Sequence, residues 1–304
     1  MNNENTEARE YLPKDEPIVG IGKAGRNPVA EIVYRTWKRR SGRFAILIVV
    51  AFGLAAIAAP LITPASPSEQ FRGEELQNPS LEHILGTDQI GRDLYTRIIY
   101  GARTSLVAGV LAVSLGAFVG ITSGLMAGYN GGWIDAVVMR FYDGLMAFPG
   151  ILLAIAIVAA SGPGLLNVAI AIGIAQAPLT ARLARSIVLS QKERDYVLAA
   201  RSLGASGFRM VFFHILPNTL PLMLVQFSIA MGWAVLIEGS LSFLGFGVQP
   251  PTPSWGGMLT ESRPYMHEMP LYALWPGLAL ATLLVALNFL ADALRDATDP
   301  RLLR

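Results

Sequence analysis

The sequence contains no cysteine, which excludes disulfides and thiolate-bound metals. It has only three histidines, His83, His214 and His267, and no pair stands at a metal-ligand spacing such as H-x-x-x-H. Charge is scarce as well. Asp, Glu, Lys and Arg make up 15% of the 304 residues, where a soluble chain carries about 25%. A phosphate-binding loop is missing. Gly20, Gly22 and Gly25 form G-x-G-x-x-G, but an apolar run, not an acid, lies about 20 residues further on. Lys23 is followed by Ala24, and no glycine stands five residues before Gly22, so a P-loop is absent too. No Ser–His–Asp set is recognisable. The chain shows no means of binding ATP and no metal or catalytic constellation.

Long apolar runs take the place of these features. Crossing a bilayer requires about 20 apolar residues. Phe44–Ile62 and Leu106–Ala127 are two such runs. Gly144–Ala181 carries no charge and is too long for one crossing; "SGPG" at Ser161–Gly164 divides it, since Gly and Pro mark a turn. Val211–Ile237 is interrupted only by His214, and Leu271–Ala291 is the last. Lipid offers the backbone no hydrogen-bond partner, and the runs do not alternate as barrel strands do, so all are read as helices. The expected fold is an all-α integral membrane protein with six spans, at about 44–62, 104–128, 141–160, 165–187, 214–238 and 271–291. Residues 43–304 form the membrane domain and residues 1–42 a tail.

Six crossings put both termini on one side. The segments on that side hold nineteen of the 24 Lys and Arg residues, and the other side holds five. Positive charge stays in the cytoplasm, so both termini are expected there. Glu74 and Ser262 are expected outside, Ser206 and Asp299 inside. The tail lacks the apolar core of a signal peptide. It is expected to be poorly ordered to about Asn27. A basic amphipathic piece follows, "AEIVYRTWKRR", which orients the first crossing and can lie on an anionic leaflet.

Three further groups stand out. Asp143, in "YDGLMAFPG", and Glu238, in "IEGSLSFLGFG", lie at ends of apolar runs. An ionisable group near lipid is a candidate for a pathway or a subunit interface. In "GTDQIGRD", Asp88, Arg92 and Asp93 are expected to tie the outer loop to the second span. A short polar hairpin is expected near the middle of the chain, in "DYVLAARSLGASGFRMVFFHILPN", Asp195–Asn218. Tyr196, Ala199, Ala200 and Leu203 fall at i, i+3, i+4 and i+7 and share one helical face. Gly204 is a helix stop and Ser206 a cap for the restart. Pro217 lies near the entry of the next span. The plainer alternative is a basic loop.

This stretch resembles the cytoplasmic loop of permease subunits in bacterial ABC importers. That loop has the pattern E-A-A, three residues, G, nine residues, I-x-L-P. Ala199 and Ala200 match the alanines, Gly204 the glycine and Leu216–Pro217 the ending. Leu198 stands in place of the glutamate and His214 in place of the isoleucine. A charge contact at Leu198 is therefore not expected, while the packing role stands. "LGTDQIGRDLYTRIIYGARTSL", "LSFLGFGVQPPTPSWGGML" and "NFLADALRDATDPRL" are similar to segments of the dipeptide, oligopeptide and nickel branch, specifically its C-type permease. The resemblance covers about residue 43 to the C-terminus.

The resemblance implies a translocation subunit, not an enzyme, in the bacterial inner membrane. It implies a second homologous permease, two ATPase subunits that bind ATP and Mg, and an extracytoplasmic solute-binding protein. Membrane lipid surrounds the complex, and nucleic acid has no part. Asp195, Tyr196, Ala199, Ala200, Arg201, Leu203, Gly204, Ala205 and Pro217 would carry the ATPase-coupling loop. Di- or oligopeptides are the expected solute, with a nickel chelate the alternative. An ion-coupled secondary transporter using Glu238 and Asp143 is the rival, though no inverted repeat supports it. A non-transporting receptor is the other.

Overall fold

A computed structural model describes residues 28–298 of the chain. The Gly20–Gly25 motif, Lys23, most of the tail and Asp299 lie outside the described residues. Every regular element among the described residues is helical. The order is α1 (Pro28–Lys38), α2 (Arg40–Ile62), α3 (Leu94–Asn130), α4 (Gly132–Met146), α5 (Gly150–Ser161), α6 (Leu165–Gln191), α7 (Asp195–Ser202), α8 (Gly207–Arg209), α9 (Leu216–Phe243), α10 (Trp255–Ser262) and α11 (Pro270–Thr298). A π-helical turn, Met210–Ile215, joins α8 to α9.

Among the described residues, α2, α3, α6, α9 and α11 are each long and apolar enough to cross a membrane, and α4 with α5 makes a sixth if the pair counts as one span. The expected single helix over 141–160 is corrected here. Two helices meet at 90°. Pro149 has no N–H to donate, and its ring disfavours helical backbone at Phe148. The first of the two begins at Gly132, in a stretch expected to be a polar connection. The "SGPG" turn forms as expected, with Gly162 and Gly164 at φ 90° and 138°.

The central contact is between α3 and α6. Gly116, Gly120, Gly124 and Gly128 recur every four residues and lie on one face of α3. Against them stand the backbones of Gly173, Ala177, Ala181 and Arg185, on the same period in α6. A β-carbon on Gly116 would come within 2.9 Å of the Gly173 carbonyl oxygen. Small residues let two backbones approach this closely, which is how helices pack where lipid removes the hydrophobic driving force. With its 37 residues, α3 is about 55 Å long, against a hydrocarbon core of about 30 Å. Its two ends therefore mark opposite ends of the molecule. The 63–93 loop and α10 gather at the Leu94 end. Gly207 packs on Tyr129 at the Asn130 end, so the α7–α8 hairpin belongs there.

The amphipathic piece before the first span is a helix, α1. Its buried Ile32 and Thr36 face the bundle, with Leu294 and Ala297 of α11 beside Ile32. Arg39 and Asp296 form an ion pair at the same corner.

Candidate functional site

The hairpin forms as short, well-stopped helices. The Ala205 N–H donates to the Ala200 carbonyl at 3.1 Å, and the Gly204 N–H to the Arg201 carbonyl at 3.0 Å. That pair of bonds is a Schellman stop, and it requires a left-handed residue; Gly204 supplies it at φ 82°. Ser206 caps the restart by accepting from the Arg209 N–H at 3.4 Å. Pro217 sits in the first turn of α9, directly after the π-helical turn Met210–Ile215.

The face of α7 is rotated slightly from the sequence expectation. Tyr196, Ala199 and Leu203 are exposed, with Leu203 89% accessible. Asp195, Leu198 and Arg201 are exposed too. Ala200 is half-buried. With Val197 and Ala205 it packs on a cluster that includes Leu125 of α3, Val188 of α6, Met210 and Ile215. Ala199 is thus the small residue on the open surface, and Ala200 belongs to the seat beneath it. Phe208 and Phe213 are exposed nearby. Tyr196 is held by its hydroxyl, which donates to Gln191 Oε1 at 2.7 Å.

At the other end, Asp88, Arg92 and Asp93 are all buried, but they join two neighbouring clusters. In the first, Asp88 Oδ1 accepts the N–H groups of Ile90 and Arg92 at 3.0 and 2.9 Å. Arg92 Nε pairs with Asp88, and Arg92 Nη2 donates to Glu261 Oε2 at 2.7 Å. The same Glu261 oxygen accepts from Arg97 Nη2 at 2.9 Å and the Tyr272 hydroxyl at 3.1 Å. Arg97 Nε lies 3.4 Å from Asp88 Oδ2 without a hydrogen bond. In the second, Asp93 caps α3 by accepting the Thr96 N–H at 2.7 Å. Its other oxygen lies 2.9 Å from His83 Nδ1, and His83 Nε2 lies 2.8 Å from Glu74 Oε2. Burial pushes the His83 pKa down, but the Asp93 and Glu74 carboxylates outweigh it and hold the imidazole above its ordinary value. Glu74, His83, Arg97, Glu261 and Tyr272 were not anticipated as members. Of these, the sequence singled out Glu74 only as an outer position and His83 only as a histidine without metal-ligand spacing.

Asp143 is paired within its own chain: Arg182 Nη2 donates to its Oδ1 at 2.6 Å. About two helical turns before it, Asp135 accepts from Arg185 Nε and Nη2 at 2.5 and 2.6 Å. The two pairs clamp α4 to α6. Glu238 is fully buried between α3 and α9. Its oxygens accept from Ser105 Oγ at 2.7 Å and Ser242 Oγ at 2.8 Å. Asp143 and Glu238 lie on different helix pairs and bond to different side chains among the described residues, so the structure does not bring them together. Ser262, expected outside, is buried in α10.

Residues 116–304 match the family described as binding-protein-dependent transport system inner membrane component. The dipeptide transport system permease protein of Alkalihalophilus pseudofirmus is 44% identical, over 91% of each chain. The glutathione transport system permease protein of Pectobacterium atrosepticum is 43% identical, over 92% of this chain and 93% of its own. A solved structure of the MetNI methionine ABC transporter, in an inward-facing conformation, superposes with a TM-score of 0.56. It is 17% identical and covers 66% of this chain and 96% of that one, so the likeness concerns the fold.

Proposed function

The chain belongs to the family of binding-protein-dependent transport system inner membrane components, and on that premise we propose how it works and what it carries. It is a permease subunit of an ATP-driven importer in the inner membrane. With a second permease it forms the solute pathway. Two partner ATPases hold the ATP and Mg, and a binding protein delivers the solute from outside. Both chain ends face the cytoplasm, following the nineteen-to-five split of basic residues. The solute is a di- or oligopeptide; relatives named for dipeptide and for glutathione transport support that class.

The observation that carries the coupling role is the hairpin's form. It presents Ala199 and Leu203 to solvent on a rigidly stopped helix. Beneath, Val197 and Ala200 rest on Leu125 and Val188. A displacement of α7 by a closing ATPase pair would pass directly to α3 and α6. Those helices are locked by their glycine and alanine contacts, so they would move as one unit. A switch requires contacts that differ between two states, and a docked surface helix supplies them.

The test is reconstitution of the two permeases, the ATPases and the binding protein in vesicles. Peptide-stimulated ATP hydrolysis and peptide uptake are measured together. Ala199→Glu should assemble normally and lose the coupling of the two. Wild-type coupling in that variant would sink the docking assignment.

A further inference from the structure

Four arginines at the bundle's helices are neutralised by acids of the chain. Arg92 and Arg97 share Glu261, Arg182 pairs with Asp143, and Arg185 with Asp135. Arg103 differs. It is exposed on α3 and makes no hydrogen bond or ion pair with any described residue. It stands nine residues into α3, about 13 Å along the axis. That is near the outer edge of the hydrocarbon if the helix is centred, where a charge is costly and by default functional.

Its surroundings are concave on both sides. Outward, Arg103 lines a cleft of about 440 Å³ with Ser68, Tyr100, Thr104 and Thr252. Inward, it lines a groove of about 970 Å³ whose wall is otherwise almost wholly apolar, with Val110, Phe227 and Met231 among the residues. Arg103 and Val107 border both spaces. No acidic residue lines either one. A ligand site of this kind, apolar with one convergent charge, recognises an anionic end and tolerates varied apolar bodies. A guanidinium binds a carboxylate through two parallel N–H bonds.

We propose that Arg103 receives the C-terminal carboxylate of the peptide as it passes from the outer cleft into the groove. The proposal rests on the peptide-importer reading above and makes Arg103 a specificity-determining residue of the pathway. A lipid phosphate or an acid of the second permease would satisfy the same guanidinium, but neither would make its effect depend on the solute's own carboxylate.

Two measurements separate the possibilities. The first is uptake of Ala-Phe by the complete wild-type complex with its binding protein; no uptake there defeats the peptide reading, and this inference with it. The second uses the assembled permease–ATPase complex without the binding protein, so that the pathway alone selects. A dipeptide of alanine and p-benzoylphenylalanine is photocrosslinked to the permease, in competition with Ala-Phe or its C-terminal amide. Ala-Phe should compete in wild type and need about ten- to hundredfold more in Arg103→Gln, the effect of losing hydrogen bonds to a charged group. The amide should compete equally in both, and Arg103→Lys should fall between. Equal loss for acid and amide, or loss of complex yield in Arg103→Gln, assigns the guanidinium to lipid or to subunit pairing and overturns the proposal. So does unchanged competition. Absence of crosslinking in a wild-type complex that takes up Ala-Phe overturns it too.

Discussion

A β-carbon placed on Gly120 would stand 2.7 Å from the carbonyl oxygen of Ala177. The two backbones touch, and neither atom is a side chain that can swing away. Gly120→Val should therefore force α3 and α6 apart, at a cost of about 1–3 kcal/mol for overpacking. A lower midpoint in thermal unfolding of the purified chain is the expected result. Gly53→Ala is the control, because a β-carbon there meets nothing within 4 Å. Equal midpoints for both variants would contradict the close contact.

Glu261 holds two buried guanidiniums, and its removal leaves them with Asp88 as their remaining carboxylate. Glu261→Ala should cost about 3 kcal/mol, the low end for breaking a buried pair, because Asp88 remains. Adding Arg97→Met should recover part of the loss, since it removes the stranded charge. A double-variant midpoint as low as the sum of the two single losses would show that the groups do not interact.

The Glu74–His83–Asp93 cluster should respond to pH. The folded state holds the His83 pKa above 6.5, so its contribution to stability is complete below about pH 6.5 and is lost as pH rises through the raised value. The thermal midpoint of wild type should fall relative to His83→Gln as pH rises above about 6.5. Parallel pH profiles for the two proteins would rule the linkage out.

In the hairpin, neighbouring alanines should behave differently. Ala199→Glu leaves the isolated chain's stability unchanged because Ala199 is exposed. Ala200→Glu lowers it, because a carboxylate half-buried against Val197 and Leu125 loses water without gaining a partner. Gly204→Val should distort the stop, since a β-branched residue resists φ 82°. Circular dichroism melts of the three variants decide this; equal stability of the two Glu variants would mean that the helix face is assigned wrongly.

The orientation is testable because the chain has no cysteine. Leu81 is fully exposed in the 63–93 loop and replaces buried Ser262 as the outer probe. An impermeant thiol reagent applied to intact cells should label Leu81→Cys and leave Ser206→Cys unmodified. The reverse pattern would invert the topology.

The helical class, the positions of five apolar helices, the turn at Ser161–Gly164 and the stop at Gly204 are all readable from sequence. Each is a local consequence. Lipid leaves the backbone no partner outside its own helix, and a positive φ falls to glycine because other residues clash. Pro149 carried the signal for the 90° break, but the unbroken lack of charge from Gly144 onward concealed it. Tertiary structure alone decided the rest. Glu261 meets Arg97 across 164 positions of chain, and no local pattern specifies such a partner. Ala199 and Ala200 are chemically identical neighbours, and only the packing of α7 on α3 and α6 makes one a surface and the other a seat. Arg103 is one of 24 basic residues in the sequence; that it borders two cavities lined by no acid emerges only in the folded chain.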